Sequence, residues 1–404
     1  MALAKGVAKK LAYKLEDNWG VAPTVKTGAR YLSRVTGQFN VNAETLQSAT
    51  IRTDRQIEDY RLGTRSGDGS LNTELSPGSI DDFFAAALTK DFAAGGTTAS
   101  ASVTIATSGD LYTITRSTGS WLTDGFYVGN VARMTGVGLN AANASNNLLV
   151  LSMTALVLTV KTLGDNALVA EGPIATVAVS VVGKQTYTPQ TGHTSKSFAF
   201  EEWFEDVAVS ELHLGNKVNT LAVQLPTNGF CTADVSFMGK GKLVTGATQF
   251  YTSPTAAPSN GLTVSVSGAV VVNGVPAGVI TSADFSIDRG LEAANVVGTN
   301  YAVEMFDGRV NVTGNISTFF ENGTFRDYFL NENKISLIFA LSTGSEKNAE
   351  VISFVFPTVK LGSSTRDDGE NGLIQQHSFQ AILNTVTTTG LPATTLLIQD
   401  SSVL

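Results

Sequence analysis

The sequence of 404 residues is poor in several residue types, and each shortage excludes something. Its one cysteine, Cys231, allows no disulfide within the chain. No apolar run approaches the ~18 residues of a membrane-spanning helix, so we expect no association with a membrane. Only 15% of the residues are charged, against about 25% in an average soluble protein. This shortage suits a protein that buries much of its surface against copies of itself.

Positive charge is the scarcer of the two signs, because the formal net charge is −8. A protein that binds nucleic acid without sequence preference is basic, since it has to neutralise phosphates. The composition therefore excludes this class of protein. An acidic surface close to nucleic acid would repel it instead.

Catalytic and metal-binding motifs are also missing. The three histidines, His193, His213 and His377, form no HExxH or HxxxH pattern. There is no Gly-x-Ser-x-Gly elbow, and the glycine-rich run from Gly239 to Lys242 lacks the Gly-Lys-Ser/Thr ending of a phosphate-binding loop. We therefore predict no catalytic residue, no metal site, no cofactor and no enzymatic activity.

The chain is rich in the residues of strands and tight turns. It has 39 glycines, and Thr, Ser, Val, Ala and Asn fill much of the rest. Short alternating segments predict a mainly β fold, with a short helix over 79–88. The basic N-terminus has Leu3, Val7, Leu11 and Leu15 at a spacing of four, which predicts an amphipathic helix. Residues 93–108, rich in Ala, Gly, Ser and Thr, read as a linker.

One segment of the sequence occurs twice. Residues 69–85 align with residues 314–330 without a gap, and a second short helix over 324–331 matches the first. Repetition of this kind is typical of structures that stack or close like units. The matched pairs are Gly69 and Gly314, Leu71 and Ile316, Thr73 and Thr318, Leu75 and Phe320, Gly78 and Gly323, Ser79 and Thr324, Ile80 and Phe325, Asp82 and Asp327, and Phe84 and Phe329.

The repetition and the changes of composition predict two repeated β domains with one insertion. The first repeated domain is split by a small all-β domain without helix signals, which is barrel-like or sandwich-like. The predicted segments are an N-terminal arm (1–30), the first repeated domain (31–108 and 184–243), the insert (109–183), a linker (244–262), the second repeated domain (263–384) and a C-terminal arm (385–404).

Four runs carry a family likeness. They are Leu11-Ala-Tyr-Lys-Leu-Glu-Asp-Asn-Trp-Gly-Val-Ala-Pro, Thr53-Asp-Arg-Gln-Ile-Glu-Asp-Tyr-Arg-Leu-Gly-Thr-Arg-Ser, Glu74-Leu-Ser-Pro-Gly-Ser-Ile-Asp-Asp-Phe-Phe-Ala-Ala-Ala-Leu, and Asn219-Thr-Leu-Ala-Val-Gln-Leu-Pro-Thr-Asn-Gly leading to Phe237-Met-Gly-Lys-Gly. Together they resemble the major tail tube proteins of long, non-contractile-tailed bacteriophages.

The resemblance implies both a fold and a function, with the two repeated domains as tube domains and the insert as a surface domain. The fold is a β-sandwich or partial barrel with a short flanking helix, whose sheets join between subunits into a β-barrel around a pore. Rings then stack into a tube that conducts genomic DNA into the host without binding it specifically. The resemblance also implies a virion component assembled in the host cytoplasm, with the tape-measure protein and the tail terminator as partners.

The duplication bears on the number of chains in a ring. Rings of the family present six tube domains, so a chain with two of them predicts a homotrimer with pseudo-sixfold symmetry. Six chains per ring is the alternative, with the second repeat as an outer domain.

Two groups of charged residues are candidates for function. Charges between two strand-like segments predict a hairpin tip, and the resemblance implies that such hairpins reach the next ring, where mixed charges would set the register. The candidates are Asp54, Arg55, Glu58, Asp59 and Arg61, with Asp288, Arg289 and Glu292 at the corresponding place of the second repeat. Carboxylates on strands are candidates for a lumen that repels phosphates: Glu74, Asp234 and Glu304. Ordinary solvated charges remain the alternative for each.

A second functional class fits the composition. A β-rich adhesin or receptor-binding fibre protein would also show many short strands. The duplicated Gly-hydrophobic-x-Thr segment with its following helix favours the tube, because fibres rarely carry that element.

Overall fold

The computed structural model describes residues 3–368, 370, 372–386 and 390–403. The fold is mainly β, as predicted. Among the described helices, none is long and apolar enough to cross a membrane. The predicted arms extend beyond these ranges, so Met1, Ala2, residues 387–389 and Leu404 lie outside the described residues.

The first part of the chain forms β1 (Lys9–Leu15), β2 (Arg30–Tyr31), β3 (Thr36–Gln47), β4 (Tyr60–Glu74), α1 (Asp81–Ala87) and β5 (Ala93–Ala94). The N-terminal helix predicted from the sequence is wrong, because β1 is a strand that pairs with β2 and with a later strand. Leu11 and Tyr13 point into the main core, whereas Ala12 packs in a separate cluster on the opposite face. The helix α1 confirms the predicted short helix and is buried through Phe83 and Phe84.

The insert is a closed six-stranded barrel. Its strands are β6 (Thr97–Ser108), β7 (Leu111–Arg116), β8 (Val131–Gly136), β9 (Leu148–Met153), β10 (Val157–Thr162) and β11 (Glu171–Val181), closed in the order β10-β7-β6-β11-β8-β9. Residues 97–108 are therefore a barrel strand and neither a linker nor part of the first tube domain. Val103 and Ile105 alternate into the barrel core and fix this strand there, although its other positions are small and polar.

The chain then continues through β12 (Lys184–Tyr187), β13 (Phe198–Phe204), β14 (Val209–Leu225), β15 (Thr232–Gly239) and β16 (Lys242–Gly246). The remaining elements are β17 (Val264–Val272), β18 (Val275–Pro276), β19 (Ile280–Asp288), β20 (Glu292–Ala294), β21 (Glu304–Phe306), β22 (Asn311–Phe319), α2 (Thr324–Leu330), β23 (Ile335–Ser342), β24 (Val351–Leu361), β25 (Thr365–Arg366), β26 (Ile374–Ala381) and β27 (Leu397–Asp400).

The two halves of the chain contain the same elements in the same order. Repeat one is β1, β2, β3, β4, α1, β13, β14, β15 and β16. Repeat two is β17, β18, β19, β22, α2, β23, β24, β26 and β27. Corresponding strands make corresponding pairs, for example β3 with β4 and β19 with β22, or β13 with β14 and β23 with β24. The duplication visible over 17 residues of sequence thus extends through both repeats.

The aligned glycines mark the same place in both sheets. Each lies on a central strand with a phenylalanine opposite it on both neighbouring strands. The two rows are Phe39, Gly69 and Phe237 in repeat one, and Phe285, Gly314 and Phe379 in repeat two. A glycine is needed there because a Cβ would meet the flanking aromatic ring.

The two repeats share one sheet. The second half of β14, from Thr220 to Leu225, pairs antiparallel with Ala283 to Asp288 of β19. The strand order across this sheet is β3-β4-β15-β14-β19-β22-β26, and β25 pairs with the far side of β26. One main core, lined by α1 and by side chains of both repeats, lies under the sheet.

The barrel packs on repeat two, although it is inserted in repeat one. Val271, Ile338, Val355 and Leu397 of repeat two belong to the same apolar cluster as the barrel interior. Leu397 lies on β27, which pairs with both β12 and β24. Residues 396–398 are therefore not a free arm, because Leu397 packs in this second core while Leu396 and Ile398 pack in the main core.

Candidate subunit edges, hairpin tips and polar clusters

The first hairpin tip, residues 48–59 between β3 and β4, holds Asp54, Arg55, Glu58 and Asp59 at exposed positions, and Arg61 follows at the start of β4. Its charges pair mainly with one another. Arg52 lies 2.9 Å from Asp54 and 3.6 Å from Glu58, and Arg61 lies 3.0 Å from Asp59. The charged side chains are thus partly neutralised within the tip.

Apolar side chains at the same tip were missed by the sequence reasoning. Ile51 is 98% exposed, and Leu46, Ile57 and Leu62 are also exposed. The sequence offered one sign of them, because large apolar residues stand within a predicted hairpin that is otherwise polar and charged. The tip combines apolar side chains with paired charges, which is the composition of a protein contact.

The second hairpin tip, residues 289–310, differs from the first. Asp288 and Glu292 are exposed, but Arg289 is only 1% exposed. Its guanidinium donates to the Val218 carbonyl at 3.2 Å and to the Asp307 carboxylate. Arg289 therefore holds the base of this tip to β14, and the expectation that it contacts another ring conflicts with its burial.

This second tip lies back against repeat one. The Arg65 amide donates to the Asn300 carbonyl at 2.7 Å, and the Lys217 ammonium donates to the Met305 carbonyl at 3.0 Å. Glu304, a predicted lumen residue, lies on β21 of this tip, 3.5 Å from Lys217. It is thus removed from the sheet that carries the other two candidates.

The face of the shared sheet opposite the core, here called the polar face, is lined by small polar and acidic side chains. Asp234 lies on it, with Glu74 at its margin. Sequence reasoning missed Asp68 and Asp284, which the strand register places on the same face. Among the described residues, no lysine or arginine points to the polar face from five strands of the sheet, namely β4 (66–74), β15, β19, β22 and β26.

Three aspartates of the polar face each accept a hydrogen bond from a side-chain amide on a neighbouring strand. Asn72 donates to Asp234 at 2.5 Å. Asn40 donates to Asp68, and Asn315 to Asp284, each at 3.0 Å. Within the described part of the chain these three carboxylates have no cationic partner, so they keep their negative charge on this face.

Two strands of the shared sheet have an unpaired side. β3 pairs only with β4, and β25 only with β26, within the part of the chain that the structure describes. On the open side of β3, the Lys9 ammonium donates to the Gly37 carbonyl at 2.8 Å and forms an ion pair with Glu202. Open strand edges readily pair with another chain.

Glu202 forms a polar cluster with His213, which is also buried, and with Glu211, which is partly exposed. Burial raises the pKa of Glu202, and its hydrogen bond with Lys9 opposes that rise. Burial and the charge of Lys9 lower the pKa of His213 to about 4. The imidazole is therefore neutral at pH 7, so its separation of 3.8 Å from Glu202 is not an ion pair.

A second buried acid, Asp400, lies near the start of α1. It accepts hydrogen bonds from the Gly78 amide at 2.8 Å and the Ser402 amide at 2.9 Å. Burial nevertheless raises its pKa to about 7, with a further contribution from the charges of Asp81 and Glu350. The two amides stabilise the charged form, but they do not replace the lost water.

A shared sheet with two open edges, a duplicated unit and a polar face lined by carboxylates are the features of a self-assembling structural subunit. A family model described as phage tail tube protein matches residues 6–381. The chain belongs to this family, as the resemblance indicated, and its role is structural. The family implies a virion component that assembles with itself into a tube. No curated protein gives a significant match.

Proposed function

We propose that three copies of this chain close into a ring of six tube-type units, and that rings stack into the tail tube of a long, non-contractile-tailed phage. The observation that carries the proposal is the pairing of β14 with β19 inside the chain. It joins two like units edge to edge, and the same joint can be repeated between chains.

The second joint follows from the correspondence of the repeats. Phe237 lies opposite Val218 of β14, and its counterpart Phe379 lies opposite Leu361 of β24. Val218 therefore corresponds to Leu361. Four residues further along, Ala222 of β14 corresponds to Thr365 of β25, so β25 takes the place of the second half of β14. That half is the part of β14 that pairs with β19.

The open side of β25 therefore fits the open side of β3 from a neighbouring copy. Ala222 pairs with Ser286 of β19, and the counterpart of Ser286 in β3 is Asn40. This register places Thr365 opposite Asn40 of the neighbouring copy. Because the two edges differ, the joint is head to tail, and such joints close into rings when the rotation permits.

Three copies then supply the six units that rings of this family present. A ring of six chains would contain twelve such units around the pore, or would leave repeat two outside it. The second arrangement disagrees with the shared sheet, in which both repeats contribute alike.

The polar face lines the lumen in this arrangement, because the other face of the sheet is covered by the core. Asp68, Asp234 and Asp284 would repeat around the pore and repel phosphates. Glu74 adds charge at the margin. Genomic DNA would pass without being bound, because among the described residues β4 (66–74), β15, β19, β22 and β26 point no lysine or arginine outward, and the Lys217 ammonium of β14 donates to the second tip.

The hairpin tips are the proposed contacts between rings. The first tip offers Asp54, Arg55, Glu58, Asp59 and Arg61 together with its exposed apolar side chains. The second tip offers Asp288 and Glu292, and we leave out the buried Arg289. The tape-measure protein, the tail terminator and assembly in the host cytoplasm belong to the same proposal through the family.

Electron microscopy of assembled tubes tests the proposal directly. Three chains per ring, each giving two similar densities around a pore, is the expected result. Six chains per ring would refute the trimer, and discrete particles without rings would favour an adhesin.

Blocking one edge at a time gives a sharper test. The backbone N–H of Val41, like those of Gly37 and Phe39, points to the unpaired side of β3. Val41→Pro therefore removes a hydrogen-bond donor from this edge. Arg366→Pro does the same on β25. Each variant alone should stay monomeric, whereas an equimolar mixture should form dimers through the one intact joint. Dimers in either single variant, or none in the mixture, would contradict this pairing.

A further inference from the structure

We propose that Glu202, Glu211 and His213 bind a divalent transition-metal ion, with Zn²⁺ as the probe. The His213 Nε2 atom lies 3.8 Å from Glu202 Oε2 and 4.0 Å from Glu211 Oε2. One ligand atom from each residue lies within 4.8 Å of the other two. An imidazole with two carboxylates is a ligand set suited to such ions.

The histidine nitrogen is the observation that points to a ligand. His213 is only 5% exposed, and its Nε2 atom has no hydrogen-bond partner among the residues that the structure describes. A buried polar atom without a partner is costly. The two carboxylates that it faces are 3.8 and 4.0 Å away, too far to share a hydrogen bond with it. A metal ion between the three groups would satisfy all of them.

The strand pairing holds the three side chains together. Glu202 of β13 lies directly opposite Glu211 of β14, and His213 follows two residues along β14 on the same face. Glu202 is buried whereas Glu211 is partly exposed, so an ion can enter from the side of Glu211. A water molecule could fill a remaining coordination position there.

Comparison of the repeats shows that this cluster is specific to repeat one. Both strand pairs have a register shift at the same place, between Phe198 and Phe200 in one and between Ile335 and Leu337 in the other. With this register, the counterparts of Glu202, Glu211 and His213 are Phe339, Phe354 and Phe356.

All three counterparts are therefore buried aromatic residues, and Phe339 packs on Phe356 with ring centroids 5.8 Å apart. The fold accepts an apolar cluster at this position. Three metal-ligand residue types at the same three positions of repeat one, against three phenylalanines in repeat two, indicate a site.

Lys9 acts as the neighbouring group that orients one ligand. Its ammonium contacts Glu202 Oε1 and leaves Oε2 facing His213. Hydrogen bonds of this kind orient the carboxylate ligands of metal sites. The positive charge of Lys9 also opposes the ion, so Lys9→Met should tighten binding if the carboxylate keeps its place.

The test uses the full chain without a histidine tag, stripped with a chelator and titrated with Zn²⁺ against a chromophoric competitor. We expect one equivalent to bind, and Co²⁺ to give a visible absorption spectrum typical of nitrogen and oxygen ligands. Glu211→Gln, at the partly exposed ligand, should weaken binding at least about 10-fold without loss of the fold. His213→Gln should abolish it.

His193→Gln is the matched control, because His193 lies outside the cluster and contacts Thr89. It should bind zinc like the unaltered chain. A chain that takes up no zinc, or one that keeps its zinc binding in both Glu211→Gln and His213→Gln, overturns the proposal. The zinc test is independent of ring symmetry, so it can fail while the tube proposal stands.

Discussion

The glycines at the centre of the two sheets give the most direct test of how the repeats pack. In Gly69→Ala, the new Cβ would lie inside contact distance of the Phe39 ring. That ring has little room to move, because it is stacked on Phe200 with centroids 4.2 Å apart. Overpacking of this kind typically costs 1–3 kcal/mol, so we expect the free energy of unfolding to fall by about 2 kcal/mol.

The corresponding change in repeat two should cost more. In Gly314→Ala, the Cβ would lie 2.6 Å from the Phe379 ring and would also meet the Asp284 carbonyl oxygen. A backbone atom cannot rotate away as a side chain can. We expect a loss of about 3 kcal/mol or more, at the upper end of the range for overpacked cores.

Urea unfolding of the unassembled subunit measures both losses, and Gly278→Ala is the matched control. A Cβ at Gly278 would have no atom within 4 Å, so its replacement should change stability by less than about 1 kcal/mol. Phe39→Leu should partly rescue Gly69→Ala, since it makes room for the new methyl group. Equal midpoints for Gly69→Ala and Gly278→Ala, or no rescue, would refute the packing argument.

Three further predictions concern buried and exposed charges. The pKa of Asp400 is raised in the fold from its ordinary 3.8 to about 7, so the neutral form stabilises the fold below about pH 4 and this contribution is lost as the pH rises toward 7. The loss is at most on the order of 4 kcal/mol, and urea midpoints across this range should fall less in Asp400→Asn than in the unaltered chain. Asp307→Ala should cost about 3 kcal/mol in the same assay, because it leaves the Arg289 guanidinium buried without its carboxylate; an unchanged midpoint would contradict that pairing. Glu58→Lys with Asp59→Lys should leave rings intact and prevent their stacking in electron micrographs, and tubes of normal length would exclude the first hairpin tip as the contact.

The repeated unit could be predicted from the sequence because its pattern lies within one short segment of the chain. Gly69 and Gly314 each sit in a short run of alternating residues followed by a helix, and neither depends on distant pairing. The helix predicted for the N-terminus was wrong for a physical reason. A spacing of four residues keeps side chains on one face of a helix, but four is also even, so the same residues share one face of a strand.

The burial of those N-terminal side chains decides between the two. Leu11 is in the core, whereas Leu3 and Val7 are exposed, so no continuous apolar stripe packs against the protein. Pairing with β13, almost 200 residues away in the chain, fixes β1 as a strand. No window of local sequence contains that information.

The candidate sites divide in the same way. The first hairpin tip was predictable, because its charges are adjacent in sequence. Asp68 and Asp284 needed the register of the shared sheet, since only the pairing of β4, β15, β14, β19 and β22 brings them to one face. The burial of Arg289 likewise depends on Asp307, which the local sequence pattern does not link to it.

The pairing of β14 with β19 has a consequence for how a ring would form and come apart. In a ring of three chains, half of the six joints are made while each chain folds, and dilution cannot break them. The other three form by collision and depend on protein concentration. Such a ring would dissociate into three double units and never into six single ones, and its outer wall would carry three barrels rather than six.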